Sequence, residues 1–374
     1  MKIIINCSTL SATGATQVAL SFIMECIKFD DNEYHIFVSK TLSNQINEID
    51  FPKNFKFYKF NSNKIYSIMS FKARSQIRCF ENKIQPQCVF TVFGPSWIRF
   101  RSPSIFGYAY PHYVYPDSPY FQIINIIKKC KIYVFKLIHT YYLKKHGDYF
   151  ICETTDVSER LSQFLKINRD KIFTVGNTYS SYFEKKVISK KLLPEKLNDE
   201  FRFLCLFSLQ DHKNILILNK VIPYLKKYHN NINIKFILTI DKKLFNKYFN
   251  TYVSEYIINL GRVDIIDCPS LFSECDATFL PTLLECFSAN YPESMKMGKP
   301  ILTSNLSFAQ NICGNAALFF DPLDEIDISK KIVQIISDHD LRTKLIANGF
   351  EHVNKFETPE SRAIKYLTIL KNLH

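Results

Sequence analysis

The sequence predicts an α/β protein made of two successive units, each a parallel sheet covered by helices. Short apolar runs of strand type alternate with helical patterns along the chain, and the alternation restarts after a charged, proline-containing stretch at Glu184–Glu200. We interpret that stretch as a linker. The length of 374 residues suits two or three domains, and 47% hydrophobic with 22% charged residues is typical of a globular chain.

The first unit opens with a strand, a loop, a helix and a second strand. Lys2–Ser8 is a short apolar run, Thr16–Phe29 has helical spacing, and Tyr34–Ser39 is the next strand. This order is how a parallel α/β sheet begins. Further strands of this unit are predicted at Gln87–Phe93, Ser104–Tyr110, Tyr149–Cys152 and Lys171–Asn177.

The second unit repeats the pattern after the linker. Its strands are predicted at Phe201–Ser208, Ile234–Ile240, Tyr256–Val263, Ala277–Thr282, Pro300–Asn305 and Ala317–Pro322. We therefore predict domains at 1–190 and 191–355, and a final helix at 356–374 that packs toward the first domain. Ligands of open parallel sheets bind outside the carboxyl ends of the strands, so the loops after the strands should carry the chemistry.

Charge is distributed unevenly between the two halves. Residues 1–190 hold 26 Lys+Arg and 14 Asp+Glu, a net +12, and residues 191–374 hold 22 and 21, a net +1, which together give +13. The basic first half predicts either an anionic partner or a solvated basic face without a partner. No DNA- or RNA-binding motif accompanies the basic residues, so we do not expect a nucleic-acid partner.

Cysteine usage and hydropathy bear on location. The 11 cysteines are scattered singly, with no CxxC pair, which is typical of reduced thiols in the cytoplasm. No run reaches the roughly 18 apolar residues that span a bilayer. Phe121–Gly147 is aromatic, aliphatic and lysine-rich, so it is either a helix on an anionic membrane surface or an ordinary domain helix. We expect a cytoplasmic protein, with peripheral attachment to the inner face of the plasma membrane as an open alternative.

The stretch LPTLLECFSANYPESMKMGKP, Leu280–Pro300, places Glu285 and Glu293 eight positions apart. Glu285 follows a predicted strand, while Pro292 suits the first turn of a helix that stops at Gly298. A diphosphate would fit the amides of the intervening turn, with one carboxylate at each end. The spacing alone favours another interpretation, in which the acids stabilise the positive end of a helix.

This stretch resembles the E-x7-E signature of the GT-B glycosyltransferases, in particular glycosyltransferase family 4. The matching residues are E-C-F-S-A-N-Y-P-E, followed by the helix, G-K-P and the later N-A-A-L-F-F-D-P, and the likeness runs over roughly Phe201–Leu341. The resemblance implies a GT-B fold, with two Rossmann-like doubly wound domains facing across a cleft. It also implies a retaining enzyme that uses a nucleoside diphosphate sugar.

The resemblance implies a role for each matching residue of the signature. Glu293 would bind the ribose of the nucleotide, and Glu285 would contact the transferred sugar. The backbone amides of Phe287 and Ser288, with Ala289 beside them, would hold the sugar and the diphosphate.

Two positions of the signature depart from the family pattern, which has glycines there. Cys286 and Ser288 would each cost about 1 kcal/mol if the backbone needed positive φ at these positions. Ser288 or Asn290 is also expected to cap the helix that follows.

A second family feature is the phosphate-binding loop, FSLQDHKNIL at Phe207–Leu216. Lys213 matches the lysine that grips the diphosphate, but Ser208 stands where the family has an arginine. His212 or Arg262 would then supply the second cation.

Weaker similarities mark three further places. Arg262 and Val263 follow a strand whose loop approaches the base in the family, and Gly14 matches a glycine-containing first loop. His112, within Gly107–Phe121, falls near an acceptor-side histidine of the family. Three tyrosines beside it would either stack on a sugar ring or pack in the core: Tyr108, Tyr110 and Tyr113.

These features predict a retaining hexosyltransferase whose catalytic residues are Glu285, Lys213 and His112. Its co-substrate would be a nucleotide-diphosphate sugar, with neither a metal nor another cofactor. The acceptor would be a lipid-linked glycan or an oligosaccharide of a bacterial surface polysaccharide, such as O-antigen or capsule. Two alternatives stay open: a nucleotide-sugar epimerase on the same fold, and a non-catalytic basic binding protein.

Overall fold

The structure, a computed structural model, describes residues 1–11, 13–60, 71–184 and 190–373, apart from the side chains of Thr13, Phe71 and Lys72. Its contacts divide the chain into two compact units. The first comprises Met1–Val114, Asn125–Asn177 and Glu357–His374, and the second comprises Tyr115–Ile124 and Thr178–Phe356. Of the predicted linker at Glu184–Glu200, residues 185–189 lie outside the described residues.

Two parallel sheets organise the described chain, one in each unit. The strands of the first sheet are β1 Lys2–Cys7, β2 Glu33–Ser39, β3 Phe55–Phe60, β4 Cys88–Thr91, β5 Ser104–Tyr108, β6 Tyr149–Cys152 and β7 Ile172–Thr174. The strands of the second are β8 Phe201–Cys205, β9 Ile234–Leu238, β10 Ile257–Asn259, β11 Ala277–Leu280, β12 Ile301–Ser304 and β13 Ala317–Phe320.

Helices connect the strands, as parallel sheets require. They are α1 Thr13–Glu25, α2 Lys40–Ser43, α3 Phe71–Ile84, α4 Pro111–Val114, α5 Tyr120–Ile123, α6 Ile126–His146, α7 Thr155–Leu165, α8 Leu218–Tyr228, α9 Lys242–Tyr248, α10 Thr251–Ser254, α11 Cys268–Ser273, α12 Asn290–Lys296, α13 Ser307–Cys313, α14 Glu325–Ser337, α15 His339–Val353 and α16 Pro359–Lys371. Short 3-10 turns lie at Cys26–Lys28, Glu48–Asp50, Arg169–Lys171, Ser181–Phe183, Asp211–Lys213, Ile215–Ile217, Ile265–Asp267 and Gly314–Ala316.

Both sheets share one strand order. The first is β3-β2-β1-β4-β5-β6-β7 and the second is β10-β9-β8-β11-β12-β13. In each sheet the chain adds two strands on one side of its first strand and then continues on the other side. The order reverses between β1 and β4, and between β8 and β11. Such a reversal opens a crevice at the carboxyl ends of the two strands, and ligands bind there.

The strands read as apolar runs because helices cover parallel sheets on both faces. Ile3, Ile4 and Ile5 of β1, for example, are all fully buried. β3 was missed by the sequence reasoning because it is an edge strand: Lys56 and Lys59 point to solvent between aromatic residues, so no continuous apolar run marks it.

The last helix, α16, belongs to the core of the first unit. The ring of Tyr366 lies 5.1 Å from Phe22 and 5.3 Å from Phe90, centroid to centroid. The buried guanidinium of Arg362 donates to Oδ1 of Asn177 and, at 2.7 Å, to Oγ of Ser21. A buried arginine with such partners ties the end of the chain to residues near its beginning.

Two further observations concern disulfide bonds and membrane-spanning helices. No disulfide joins any of the eleven cysteines, all of which lie in the described ranges. Within those ranges, no helix combines the length and the apolar character that crossing a bilayer requires.

Candidate functional site

The second unit brings Lys213 and Glu285 together at its strand-order reversal. Lys213 ends the 3-10 turn Asp211–Lys213 after β8, and Glu285 lies in the loop after β11. Because β8 and β11 are neighbours, their carboxyl ends place the two loops side by side. Nζ of Lys213 forms an ion pair with Oε1 of Glu285, and the side chains are only 15% and 12% exposed.

Backbone and hydroxyl contacts hold these two loops in register. The N–H of Leu283 donates to the carbonyl of His212 at 2.7 Å, and Oγ1 of Thr282 lies 3.1 Å from the same carbonyl. Oγ1 of Thr282 is also 3.4 Å from Oε1 of Glu285. The loop that carries the lysine is therefore bonded directly to the loop that carries the glutamate.

Asn214, directly after the lysine, completes the turn. Its φ of +53° is in the left-handed region, which asparagine tolerates better than most residues. Its side-chain amide donates to the carbonyl of Pro322 at 2.8 Å. This bond fixes the conformation in which Lys213 meets Glu285.

Two side chains that the sequence reasoning did not assign to the site also connect its loops. Asn290 donates from Nδ2 to the carbonyl of Leu206 at 2.9 Å, which joins α12 to the loop after β8. Ser118 donates from Oγ to the carbonyl of Leu283 at 2.6 Å. These contacts span 84 and 165 residues of sequence, so no local pattern could have revealed them.

Glu293 lies on α12 and is buried, with 8% of the residue exposed. Burial raises the pKa of its carboxyl group to about 8, because a charge is poorly solvated there. Hydroxyl contacts anchor the helix: Oγ of Ser294 bonds Oγ1 of Thr278 at 3.0 Å, and the hydroxyl of Tyr291 bonds Oγ1 of Thr303 at 3.0 Å. Glu293 is therefore presented from a helix fixed to the sheet.

The start of α12 differs from the expectation. The residue before the helix is Ala289, and no side chain makes a capping hydrogen bond, so the predicted caps Ser288 and Asn290 were wrong. The amide of Asn290 is instead committed to Leu206. Gly298 ends the helical segment with φ +60°, as the glycine stop predicted.

The two positions where the family has glycines carry no left-handed strain. Among described non-glycine residues, positive φ occurs at Gln85, Trp97, Lys166 and Asn214. Cys286 and Ser288 therefore do not incur the backbone cost considered above, and both are buried.

The other residues of the signature lie around this turn. The ring of Phe287 is 6.2 Å from that of Phe356, and Ala289 is half-buried directly before α12. Ser208 is exposed and accepts a hydrogen bond from Gln210 at 3.3 Å. Ser208 therefore gives the loop no positive charge where the family has its arginine.

Arg262 and Val263 follow β10, which is the edge strand of the second sheet. Arg262 is exposed and Val263 is half-buried. Two strands, β9 and β8, separate β10 from β11, so these residues are not next to the pair of Lys213 and Glu285.

His112 and Gly14 belong to the first unit. His112 lies half-buried on α4, and Gly14 lies in the first turn of α1 rather than in the predicted loop. An added Cβ at Gly14 would meet nothing within 4 Å, so the space there does not require glycine.

The tyrosines near His112 pack in the protein. Tyr108 and Tyr113 are buried, and the hydroxyl of Tyr113 is 3.0 Å from Nδ1 of His139. Tyr110 stacks on Tyr113 with 5.5 Å between ring centroids. Of the two interpretations, packing in the core therefore holds for Tyr108 and Tyr113. In the described chain, no three His, Cys, Asp or Glu side chains cluster so as to hold a metal ion.

Comparison with known families decides the class of the second unit. The family model "Glycosyl transferases group 1" matches residues 188–352. This part of the chain is therefore similar to a glycosyltransferase group 1 domain. The matched range contains Lys213, Glu285 and Glu293.

Curated relatives agree with the glycosyltransferase domain. The O-antigen chain mannosyltransferase B of Escherichia coli is 31% identical over 101 residues, which are 27% of this chain and 26% of that protein. The chain thus spans about a quarter of that relative's length. An uncharacterised glycosyltransferase of Methanocaldococcus jannaschii is 23% identical over 257 residues, 66% of this chain and 70% of that protein.

Solved structures share the fold of the whole chain. HepE of Anabaena, in complex with UDP and glucose, matches with a TM-score of 0.72 at 12% identity, covering 100% of both chains. At this identity the likeness concerns the fold alone. With the two Rossmann-like sheets and further glycosyltransferase neighbours, it confirms the predicted GT-B fold class.

Proposed function

We propose that the protein is a retaining glycosyltransferase that transfers a sugar from a nucleoside diphosphate donor to a glycan or lipid-linked acceptor. The observation that carries the proposal is the ion pair between Lys213 and Glu285 at the carboxyl ends of β8 and β11. Its position at the strand-order reversal is where doubly wound sheets bind nucleotides. The E-x7-E reading of Glu285 and Glu293 and the assignment to family 4 are part of this proposal.

Lys213 stabilises the negative charge that develops on the leaving diphosphate. Without donor it neutralises Glu285, so neither charge is left alone in a largely buried site. The diphosphate then competes with the carboxylate for the ammonium group. Glu285 is thereby freed to accept hydrogen bonds from hydroxyl groups of the transferred sugar.

The reaction breaks the bond between the anomeric carbon and the β-phosphate oxygen. The acceptor oxygen bonds the same face of that carbon, and the acceptor's hydroxyl proton passes to the departing phosphate oxygen. Lys213 favours this step because its charge is fixed where the phosphate charge grows. Glu293 binds the ribose from α12, and the amides of Phe287 and Ser288, beside Ala289, hold the sugar and the diphosphate.

The donor and the acceptor follow from the chemistry of similar proteins. HepE was solved with UDP and glucose, which supports a nucleotide sugar as the donor class. The relation to an O-antigen mannosyltransferase supports a surface polysaccharide as the acceptor. His112 is the acceptor-side residue in this proposal, and Arg262, Val263 and Gly14 are weaker donor contacts.

We place the enzyme in the cytoplasm. The absence of disulfides among all eleven cysteines, nine of them buried, supports a reducing compartment. Nothing in this chemistry needs a metal ion or a further cofactor.

A screen of nucleotide sugars tests the proposal. The full chain is heated with UDP-glucose, GDP-mannose and related donors, and the donor that raises the melting temperature is then incubated with lipid-linked and oligosaccharide acceptors. We expect one donor to stabilise the protein and to give a product with the donor's anomeric configuration, read by NMR.

Three results would contradict the proposal. Inversion at the anomeric carbon would exclude retention. Complete epimerisation of a donor incubated alone would show an epimerase. Tight, salt-sensitive RNA binding with no response to any donor would show a non-catalytic basic protein.

A further inference from the structure

The helix α6, Ile126–His146, has an apolar face that its own unit does not bury. Seven large apolar side chains of the helix are exposed. Five of them form this face, with exposed fractions of 70% for Ile126, 62% for Tyr133, 53% for Val134, 56% for Leu137 and 54% for Tyr141. At 100° per residue, these positions and Cys130 fall along one side of the helix. We name this set of six residues the outer stripe.

The opposite side of α6 packs into the first unit. His139, Leu143 and His146 are buried. Each lies nine residues after a member of the outer stripe, namely Cys130, Val134 and Leu137, and nine residues are about two and a half turns of helix. The helix therefore packs one face into the fold and leaves an apolar face exposed on the opposite side.

Lysines border the outer stripe on both sides. The helix contains six lysines and no acidic residue. Lys129 and Lys136 lie along one edge, Lys131 and Lys145 along the other, and Lys144 lies near the C-terminal end. An apolar face framed by cations is typical of a helix that lies in a membrane interface.

A basic hollow continues the cationic surface at the end of α6. It has a volume of about 710 Å³ and is lined by Lys144 of the helix together with Arg99, Arg101, Lys166 and Lys171. Asp148 is the one acid in its wall, and it is paired with Arg99 at 2.5 Å. The hollow therefore keeps an excess of positive charge next to the outer stripe.

The charge pattern selects among the partners that could cover the outer stripe. A second copy docked stripe to stripe would bring two lysine borders together, which is unfavourable. A nucleic acid would satisfy the lysines but leave the isoleucine, valine and leucine side chains in water. An anionic bilayer satisfies both, since it offers a hydrocarbon boundary beneath a layer of negative headgroups.

We propose that α6 docks the protein on an anionic lipid bilayer, with the outer stripe in the boundary between headgroups and acyl chains and the lysines on lipid phosphates. The inference uses only the first unit and is independent of the donor site. It chooses the membrane interpretation of Phe121–Gly147 over the ordinary domain helix.

Flotation of the full chain with vesicles tests the docking. The vesicles are phosphatidylcholine alone, or phosphatidylcholine mixed with phosphatidylglycerol, at low and at high salt. We expect the protein to float with the anionic vesicles at low salt and to be released by salt, because exposed charges are screened. Failure to float with anionic vesicles at low salt overturns the proposal.

A pair of matched double variants tests the outer stripe. Val134→Gln with Leu137→Gln should weaken vesicle binding about tenfold or more, because two apolar side chains no longer leave water. As the control, Met24→Gln with Ile364→Gln also replaces two exposed apolar side chains by glutamine, on α1 and α16 of the same unit, where the residues are 44% and 45% exposed. Equal losses in the two double variants would overturn the role of α6.

A second matched pair tests the lysines. Lys129→Gln with Lys144→Gln should weaken binding to anionic vesicles about 25-fold, at about fivefold per lysine. Lys40→Gln with Lys83→Gln removes two exposed lysines elsewhere in the unit and should change binding by about twofold or less. Equal effects would mean that net charge, not α6, drives attachment.

Light scattering and donor binding keep the result distinct from other causes. The parent protein could be a dimer that does not bind vesicles and that Val134→Gln with Leu137→Gln converts to a monomer. That result would show that a second copy covers the outer stripe. Unchanged melting temperature and nucleotide-sugar binding in each variant show that fold and donor site are intact. The docking proposal and the proposed transferase function therefore stand or fall separately.

Discussion

Glu285 and Glu293 come from one short stretch, yet their carboxyl groups lie in contrasting electrostatic surroundings. Glu285 is in a loop, paired with Lys213 and close to the hydroxyl of Thr282. Glu293 is on α12, and its burial raises its pKa to about 8. One carboxyl group is thus paired with a cation 72 residues away, while burial makes the other bind a proton more readily than usual.

The contrast supports a proposal in which the two ends of the E-x7-E pattern have different tasks. In this proposal, a glutamate paired with a lysine suits the end where diphosphate and sugar part, because charge changes there. A glutamate that ionises only around pH 8 suits a neutral group such as a ribose, since a protonated carboxyl both donates and accepts. Different surroundings of two carboxyl groups are a common way to divide such roles.

Removing the cation should have the largest effect. Lys213→Ala should lower kcat about 100- to 1,000-fold, as expected when one group that stabilises developing charge is lost. Release of nucleoside diphosphate from the donor found in the screen measures it. The control is Lys220→Ala, an exposed lysine on α8 of the same unit. A kcat within a few-fold of the parent enzyme would remove Lys213 from the chemistry.

Removing the buried carboxyl should act on donor affinity. Glu293→Ala should weaken donor binding by about 1–3 kcal/mol, because the ribose loses its hydrogen-bond partner. Isothermal titration calorimetry measures the change. The control is Glu325→Ala on α14, an acid of the same unit outside the site. Unchanged affinity in Glu293→Ala would refute the ribose role.

The raised pKa of Glu293 predicts a pH effect on stability. The folded state keeps a proton on Glu293 up to about pH 8, whereas the unfolded chain releases it near its ordinary value of 4.5. The folded state therefore binds more protons in this window, and stability falls as pH rises through it. Relative to Glu293→Gln, the parent protein should lose up to about 1.4 kcal/mol per pH unit.

Urea unfolding of both proteins across the same pH range measures this difference. Below the window the carboxyl group is protonated in both the folded and the unfolded state, so the stability difference between the two proteins should be constant. That difference should level off again above pH 8. Parallel stability curves for the parent and Glu293→Gln would mean that Glu293 has the same pKa in the folded and the unfolded state.

The hydroxyl between the two loops should have the smallest effect. Thr282→Val should cost about 1 kcal/mol of folding free energy and a few-fold in kcat, because the contacts to His212 and Glu285 are lost at constant shape. Thr282→Ser keeps the hydroxyl and should restore most of both. If valine and serine behave alike, the hydroxyl does not position the ion pair.

Local pattern predicted the strands that lie inside the sheets. β1, β8 and β11 are apolar runs because both faces are covered, and such runs are visible in sequence. β3 escaped because its exposed lysines break the run at the sheet edge. The predicted caps of α12 failed because Asn290 is engaged by Leu206, a partner 84 residues away.

The sequence by itself determined the order of the strands apart from β3, the place of Glu285 after a strand, and the glycine stop at Gly298. These depend on residues a few positions apart, whose spacing sets which face they share. Only the tertiary structure decided that Lys213 meets Glu285, that Glu293 is buried, and that the outer stripe of α6 faces away from its own core. The first two depend on contacts between distant segments, and the third depends on which face of the helix the fold covers. Local spacing encodes none of them.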